Sequence, residues 1–155
     1  IDFWRFNVHY AKQILTDTPL ANSPGIWNRT DHRPLEGFVS AITPFNFTAI
    51  AGNLPTAPAL MGNTVVWKPS PKTPLSALAA HAVVKEVLDE MPDVPDGMAC
   101  LVVGGADVGA AMADAPELPL VSAPGSCALG RVGAQRVAGR APMKEAPKMV
   151  SGRGV

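Results

Sequence analysis

Three short apolar runs, each ended by proline or a glycine pair, constrain this chain more than any other feature. They are "LEGFVSAI" before Thr43-Pro44, "NTVVWKP" at Asn63–Pro69, and "MACLVVGG" before Gly104-Gly105. Each is too short for a helix and rich in the β-branched residues that suit a buried strand. A fourth run, "LPLVSAPGS", has the same form. Between them lie segments with helical spacing. Leu75, Leu78, Ala79, Ala82 and Val83 follow Thr73 and Pro74, an N-cap and a favoured first helical residue, and that helix is expected to stop before Pro92. Shorter helices are expected at Asp107–Ala113 and Ala128–Ala138. Strands alternating with helices predict an α/β fold: a Rossmann-like parallel sheet with flanking helices.

The flanks are less regular. Ile1–Leu15 reads as a helix. Trp4, Val8, Ala11 and Leu15 share one face, and Phe3, Phe6, Tyr10 and Ile14 the next. So wide an apolar face predicts a cover, either further chain or a partner such as a second copy in a homo-oligomer. Thr48–Met61 has helical composition, but Pro55 and Pro58 argue against a regular helix unless packing overrides them. Residues 1–139 form the expected domain. Arg140–Val155 has no apolar period and is expected to be an irregular or disordered tail.

Composition narrows function by exclusion. Thirteen basic residues balance thirteen acidic ones, so the chain has no basic footprint for nucleic acid. No apolar run approaches the ~20 residues of a membrane span. The N-terminal "IDFWRFNVHY" interleaves charge and aromatics, unlike a secretory signal. Cys100 and Cys127 suit a reducing, cytoplasmic setting better than a disulfide scaffold, and three scattered histidines make no metal-ligand cluster. Without a signal peptide, "NRT" and "NFT" read as chance matches to the glycosylation acceptor.

Ligands of parallel sheets bind at the carboxyl ends of the strands. Three motifs fall there: Thr43-Pro44-Phe45-Asn46, Trp67-Lys68-Pro69-Ser70 and Gly125-Ser126. A dinucleotide G-x-G-x-x-G is absent. "GSCALGRV" spaces its glycines like a P-loop but has Arg131 and Val132 in place of the lysine and hydroxyl. Gly125-Ser126 before a helix could still hold a phosphate through helix N-terminal amides. Lys68 is either a lysine snorkelling from a strand end or a donor to a ribose or phosphate. Asn46 is either a turn amide or a donor to a developing oxyanion, and spacing alone favours the turn. Cys127 at a helix start has no sequence-adjacent histidine to activate it. Cys100 reads as a core thiol.

The stretch "LEGFVSAITPFNFTAIAGNLPTAPALMGNTVVWKPS" resembles the NAD-dependent aldehyde dehydrogenase superfamily. Together with "IDFWRFNVHYAKQIL" and "SPGIWNRTDHRPLEGF", it is most similar to the branch that oxidises glutamate semialdehyde, the pyrroline-5-carboxylate dehydrogenases. "LVVGGADVGAAMADAPELPLVSAPGSCALGRVG" looks more like the aminoadipic-semialdehyde branch. The resemblance implies a partial NAD-binding domain over 1–139, with NAD as cofactor and a small semialdehyde as substrate of the parent enzyme. It implies an oxyanion-holding amide at Asn46, a ribose contact at Lys68, a cofactor-lining position at Thr43, and a pyrophosphate contact at Gly125 and Ser126. It also explains the missing glycine fingerprint. Two departures stand out. Ala123-Pro124 replaces the family's Phe-Thr before Gly-Ser, and neither the Glu-Leu-Gly-Gly base nor the catalytic cysteine segment is present. The resemblance therefore implies an N-terminal to central fragment, inactive in aldehyde oxidation by itself.

Overall fold

The computed structural model describes residues 1–125, 127–139 and 148–150, the last three and 127–129 as backbone only. It is a parallel sheet flanked by helices, as the alternation predicts. In chain order the elements are α1 (Asp2–Thr16), β1 (Phe38–Ile42), α2 (Thr48–Leu60), β2 (Thr64–Lys68), α3 (Pro74–Asp89), β3 (Ala99–Leu101), α4 (Ala106–Asp114), β4 (Leu120–Ser122), α5 (Cys127–Ala138) and β5 (Lys148–Val150).

The strands are ordered β3-β2-β1-β4-β5, and every neighbouring pair is parallel. The chain steps outward from β1 to β3, then returns to lay β4 on the other side of β1. That reversal makes the carboxyl end of the β1–β4 pair a topological switch point, where open α/β sheets have a crevice for ligands.

Strand register sorts the side chains onto two faces. Val39 and Ala41 of β1 share a core with Val65 and Trp67 of β2 and Ala77 of α3; Ala51 and Leu54 of α2 pack against it. Phe38 and Ile42 face the other way, toward Leu118, Val121, Ala123 and Val137 of α5. Arg136 of α5 pairs with Asp114 of α4 on that side.

α2 is helical despite its two prolines. Each removes one intrahelical N–H donor. Packing overrides that loss, because the helix is wedged between α1 and the sheet, with Pro55 buried. Thr56 Oγ1 donates back to the Gly52 carbonyl at 2.9 Å. Asn63 closes the far end: its Nδ2 donates to the Pro58 carbonyl at 3.0 Å and its Oδ1 accepts from Leu35 N–H at 2.9 Å.

α1 docks on α2 through Trp4 Nε1 to the Gly52 carbonyl (3.5 Å), Asn7 Nδ2 to Asn53 Oδ1 (2.6 Å) and an edge contact of Phe3 with Phe47. Ala11 is the one residue of α1 that is buried, and Phe6, Val8, Tyr10 and Leu15 remain exposed. Lys148–Val150 lies in the stretch expected to be irregular but pairs with β4 as a parallel edge strand. Three residues are too few to show a period in sequence. The rest of that tail, 140–147 and 151–155, lies outside the described residues. Among the described residues no helix is long and apolar enough to cross a membrane.

Candidate functional site

Thr43 and Lys68 continue adjacent strands, and the Thr43 N–H donates to the Lys68 carbonyl at 3.1 Å. That bond extends the β1–β2 ladder to the lip of the sheet. Thr43 is buried there, and its Oγ1 accepts a 2.8 Å hydrogen bond from Trp67 Nε1. The indole and hydroxyl satisfy each other, which fixes the turn into Pro44.

Beyond Pro44 the chain bends through Phe45 and Asn46 before entering α2. Asn46 is exposed, and its side-chain amide bonds to no other described residue. A turn-making asparagine needs such a bond. Phe45 is also exposed and carries Lys72 over its ring, with Nζ 4.3 Å from the centroid. Lys72 comes from a tight turn after β2, in which the Thr73 N–H reaches the Ser70 carbonyl at 3.1 Å.

Lys68 pairs with Ile42 in register, so its side chain leaves the sheet on the α4–α5 face. It is 5% exposed. Its stem lies along α4 at Gly109, where even a methyl group would stand 3.5 Å from Cδ and 3.6 Å from Cε. Its ammonium donates to the Pro69 carbonyl at 3.3 Å. No carboxylate among the described residues comes within ion-pair distance. Burial therefore lowers the pKa of Lys68, and the charge of Asp107 opposes that shift without cancelling it. A buried cation with one weak protein acceptor is poised for an external acceptor such as a hydroxyl or phosphate oxygen.

β4 lies beside β1, so Ala123, Pro124 and Gly125 join the same edge, and α5 begins two residues later. Pro124 has no N–H to offer there. Ser126 lies outside the described residues, as does the side chain of Cys127. The edge thus gathers Thr43, Asn46, Lys68 and Gly125 from three adjacent strands. A shallow, mostly apolar cleft lies between Thr43, Phe45, Thr48, Thr73 and Ser76 on the α2–α3 side.

Cys100 departs from its expected place. It sits on the outermost strand β3, exposed, with Sγ 3.5 Å from the Gly97 carbonyl. Its register partner is Val66, so it points away from the α2–α3 core that receives Leu101. The apolar run "ACLVV" concealed which of its residues face which way. Among the described residues no three potential ligands cluster as a metal would require.

Asp107 lies in the first turn of α4, at the same edge as the other candidate residues.

Comparison with known proteins agrees with this geometry. A family-wide profile described as the aldehyde dehydrogenase family matches residues 1–147. The delta-1-pyrroline-5-carboxylate dehydrogenase of Agaricus bisporus is 48% identical over 116 residues, 75% of this chain and 20% of the relative. The mitochondrial enzyme of that name from Homo sapiens is 52% identical over 86 residues, 56% of this chain and 15% of the relative. The chain thus spans about a fifth or less of the length of these relatives. Among solved structures, the Mycobacterium tuberculosis delta-pyrroline-5-carboxylate dehydrogenase bound with NAD superposes with a TM-score of 0.78 at 46% identity, covering 99% of this chain and 28% of that one. The Bradyrhizobium japonicum proline utilization A mutant D779Y superposes with a TM-score of 0.80 at 25% identity, over 99% of this chain and 15% of that one. With the family profile spanning nearly its whole length over this parallel sheet, the chain belongs to the aldehyde dehydrogenase family.

Proposed function

We propose that this chain is the cofactor-binding part of an NAD-dependent aldehyde dehydrogenase of proline catabolism. Its parent reaction is the oxidation of glutamate semialdehyde, the open form of pyrroline-5-carboxylate, to glutamate. The observation that carries this reading is the buried ammonium of Lys68, without an ion-pair partner among the described residues, at the switch-point edge of the sheet. The relatives whose names specify pyrroline-5-carboxylate support the substrate. An aminoadipic-semialdehyde substrate rests on the likeness of the second half alone and is the lesser alternative.

The residues fit a dinucleotide. Lys68 would donate to the adenosine ribose, Thr43 would line the cofactor, and Gly125 would let the backbone approach the pyrophosphate. Ser126 would add a hydroxyl donor. NAD supplies a hydride acceptor when bound. Asn46 projects a free amide from the bend before α2, placed to stabilise a negative oxygen on the aldehyde carbon.

That reaction also needs a thiolate nucleophile and a base for thioester hydrolysis. Cys100 is two strands away from β1 and supplies no nucleophile to Asn46. We therefore read the polypeptide of these 155 residues as inactive in aldehyde oxidation, and steady turnover of glutamate semialdehyde by it would refute that. A module that binds nucleotide or assembles with a partner, without catalysis, is the second reading. The exposed apolar residues of α1 favour it, and a homo-oligomer is one form it could take. The cysteine usage supports a reducing location, read here as cytoplasmic, whereas the Homo sapiens relative is named as mitochondrial.

Titration calorimetry with NAD tests the cofactor assignment directly. The wild-type chain should bind, and Lys68→Ala should bind at least tenfold more weakly. Equal binding by both would remove the ribose contact.

A further inference from the structure

One apolar surface is left without a cover by the described residues. Phe3, Phe6, Tyr10 and Ile14 follow one another at helical spacing along one flank of α1. Phe47, the N-cap of α2, extends the row through its edge contact with Phe3, at 6.4 Å between ring centroids. The patch holds three of the chain's five phenylalanines and its only tyrosine. None of these side chains belongs to the core on either face of the sheet. α1 docks on α2 through the neighbouring Trp4, Asn7 and Ala11 instead, with Phe3 at the border.

The size of the patch sets what it can bind. Phe3, Phe6, Tyr10 and Phe47 are 41%, 59%, 58% and 47% exposed, and Ile14 is 46% exposed. With about 200 Å² for each aromatic side chain, the row offers roughly 400–500 Å² of apolar surface. A specific interface takes about 800 Å² from each partner, and roughly 450–500 Å² of that is apolar. The patch therefore matches one side of an ordinary dimer interface. Its aromatic content fits as well, because interfaces enrich tyrosine and phenylalanine. Its polar border is compatible with a second copy of itself. Asp2, one turn before Phe6, pairs with Arg5 of its own helix at 3.6 Å, and Gln13 lies one turn after Tyr10. The whole chain carries no net charge, so two copies do not repel each other at long range.

We propose that this chain forms a two-fold dimer, in which the flank of α1 carrying Phe3, Phe6, Tyr10 and Ile14 packs antiparallel against the same flank of a second copy. Phe6 of each copy then meets Tyr10 of the other, and Asp2 stands level with Ile14 and the Gln13 amide, a donor to its carboxylate. A parallel arrangement would set the two Asp2 carboxylates and the two helix dipoles side by side, and antiparallel packing avoids both. Dimerisation and NAD binding are separate readouts, so this inference and the cofactor reading can fail independently.

The test is sedimentation of the 155-residue chain from about 1 to about 100 μM, where the weaker interfaces of this size associate. Three variants are compared with wild type: Phe6→Glu, Tyr10→Glu and Val8→Glu. All three positions are exposed and glutamate is a good helix former, so each variant should melt like wild type. Wild type should pass from monomer to dimer with no larger species. Phe6→Glu and Tyr10→Glu should each raise the dimer dissociation constant at least hundredfold, because the two-fold axis places each change in the interface twice. Val8 lies on the opposite flank of α1, so Val8→Glu should change the constant less than about threefold. A wild-type chain that stays monomeric throughout would overturn the proposal and leave the flank to further chain or to a different partner. A dimer that survives both aromatic substitutions, or that Val8→Glu breaks as well, would overturn it by placing the contact elsewhere.

Discussion

β1 and β2 present two different surfaces to the two layers of helices. Toward α2 and α3 they offer Val39, Ala41, Val65 and Trp67, and the polar pair on that side, Trp67 with Thr43, is mutually satisfied. Toward α4 and α5 the same two strands offer Ser40, Ile42, Val66 and Lys68. There Ser40 is fully buried with no partner for its hydroxyl among the described residues, and Lys68 is buried with one weak acceptor. One face follows the rules of a core. The other departs from them at two positions, one of them at the ligand edge. Local violations of packing logic tend to concentrate where a protein binds or reacts.

The largest effect should come from the well-made face. Trp67→Ala removes the bulkiest side chain of that core and leaves Thr43 without its indole donor. The expected loss is about 3–5 kcal/mol of folding free energy, read from urea denaturation. A loss under about 1 kcal/mol would mean that the α2–α3 layer is loosely packed, and the contrast between the faces would fail.

Substitution on the other face should act in the opposite direction. Lys68→Met keeps the stem packed on Gly109 and removes a buried charge, so stability should rise by roughly 1 kcal/mol, while NAD binding weakens at least tenfold. The pH dependence follows from the lowered pKa of Lys68. Below its folded-state value both states carry the proton, and the burial penalty is constant. Between that value and about 10.4, the unfolded state binds more protons, so stability rises with pH. The α2–α3 side responds at the other end of the scale. Burial, then the charge of Lys85, lowers the pKa of His81, so stability falls as the pH drops below about 6.5. Thermal melts across pH should show both slopes, and Lys68→Met should abolish only the alkaline one.

How far the sequence foretold this contrast depends on the range of the forces involved. The first four strands and the parallel character of the sheet were legible, because apolar runs alternating with helical spacing are local signals, whereas β5 is too short to show a period. Lys68 and Asn46 were visible as candidates, but each kept a bland reading until burial and hydrogen-bond partners were known. Pro55 and Pro58 argued against α2 because propensity is local, whereas the packing that overrides it comes from α1 and the sheet. Cys100 reads as a core thiol because an apolar run at an edge strand does not reveal which face is covered. The cover over Lys68 could not be read at all, because it depends on α4 returning across the sheet to bring Gly109 against a lysine 41 positions earlier in the chain.

Ser40 and Thr43 give the finest test of the two faces, because both are buried hydroxyl residues at β1 or its end. Ser40 lies between Val66 and Val121 in register, facing α4 and α5. A buried hydroxyl without a partner costs free energy that the unfolded state does not bear, since water satisfies it there. Ser40→Ala removes the oxygen with little change of shape, so it should stabilise the chain by about 1 kcal/mol. Thr43→Val is nearly as conservative in shape but strips the acceptor from the Trp67 indole N–H. That leaves a buried donor unpaired and should destabilise by roughly 1–2 kcal/mol. The opposite signs carry the argument, more than either magnitude. If Ser40→Ala destabilised the chain as Thr43→Val does, the Ser40 hydroxyl would have a partner in solution. Of the two departures on the α4–α5 face, Lys68 alone would then remain.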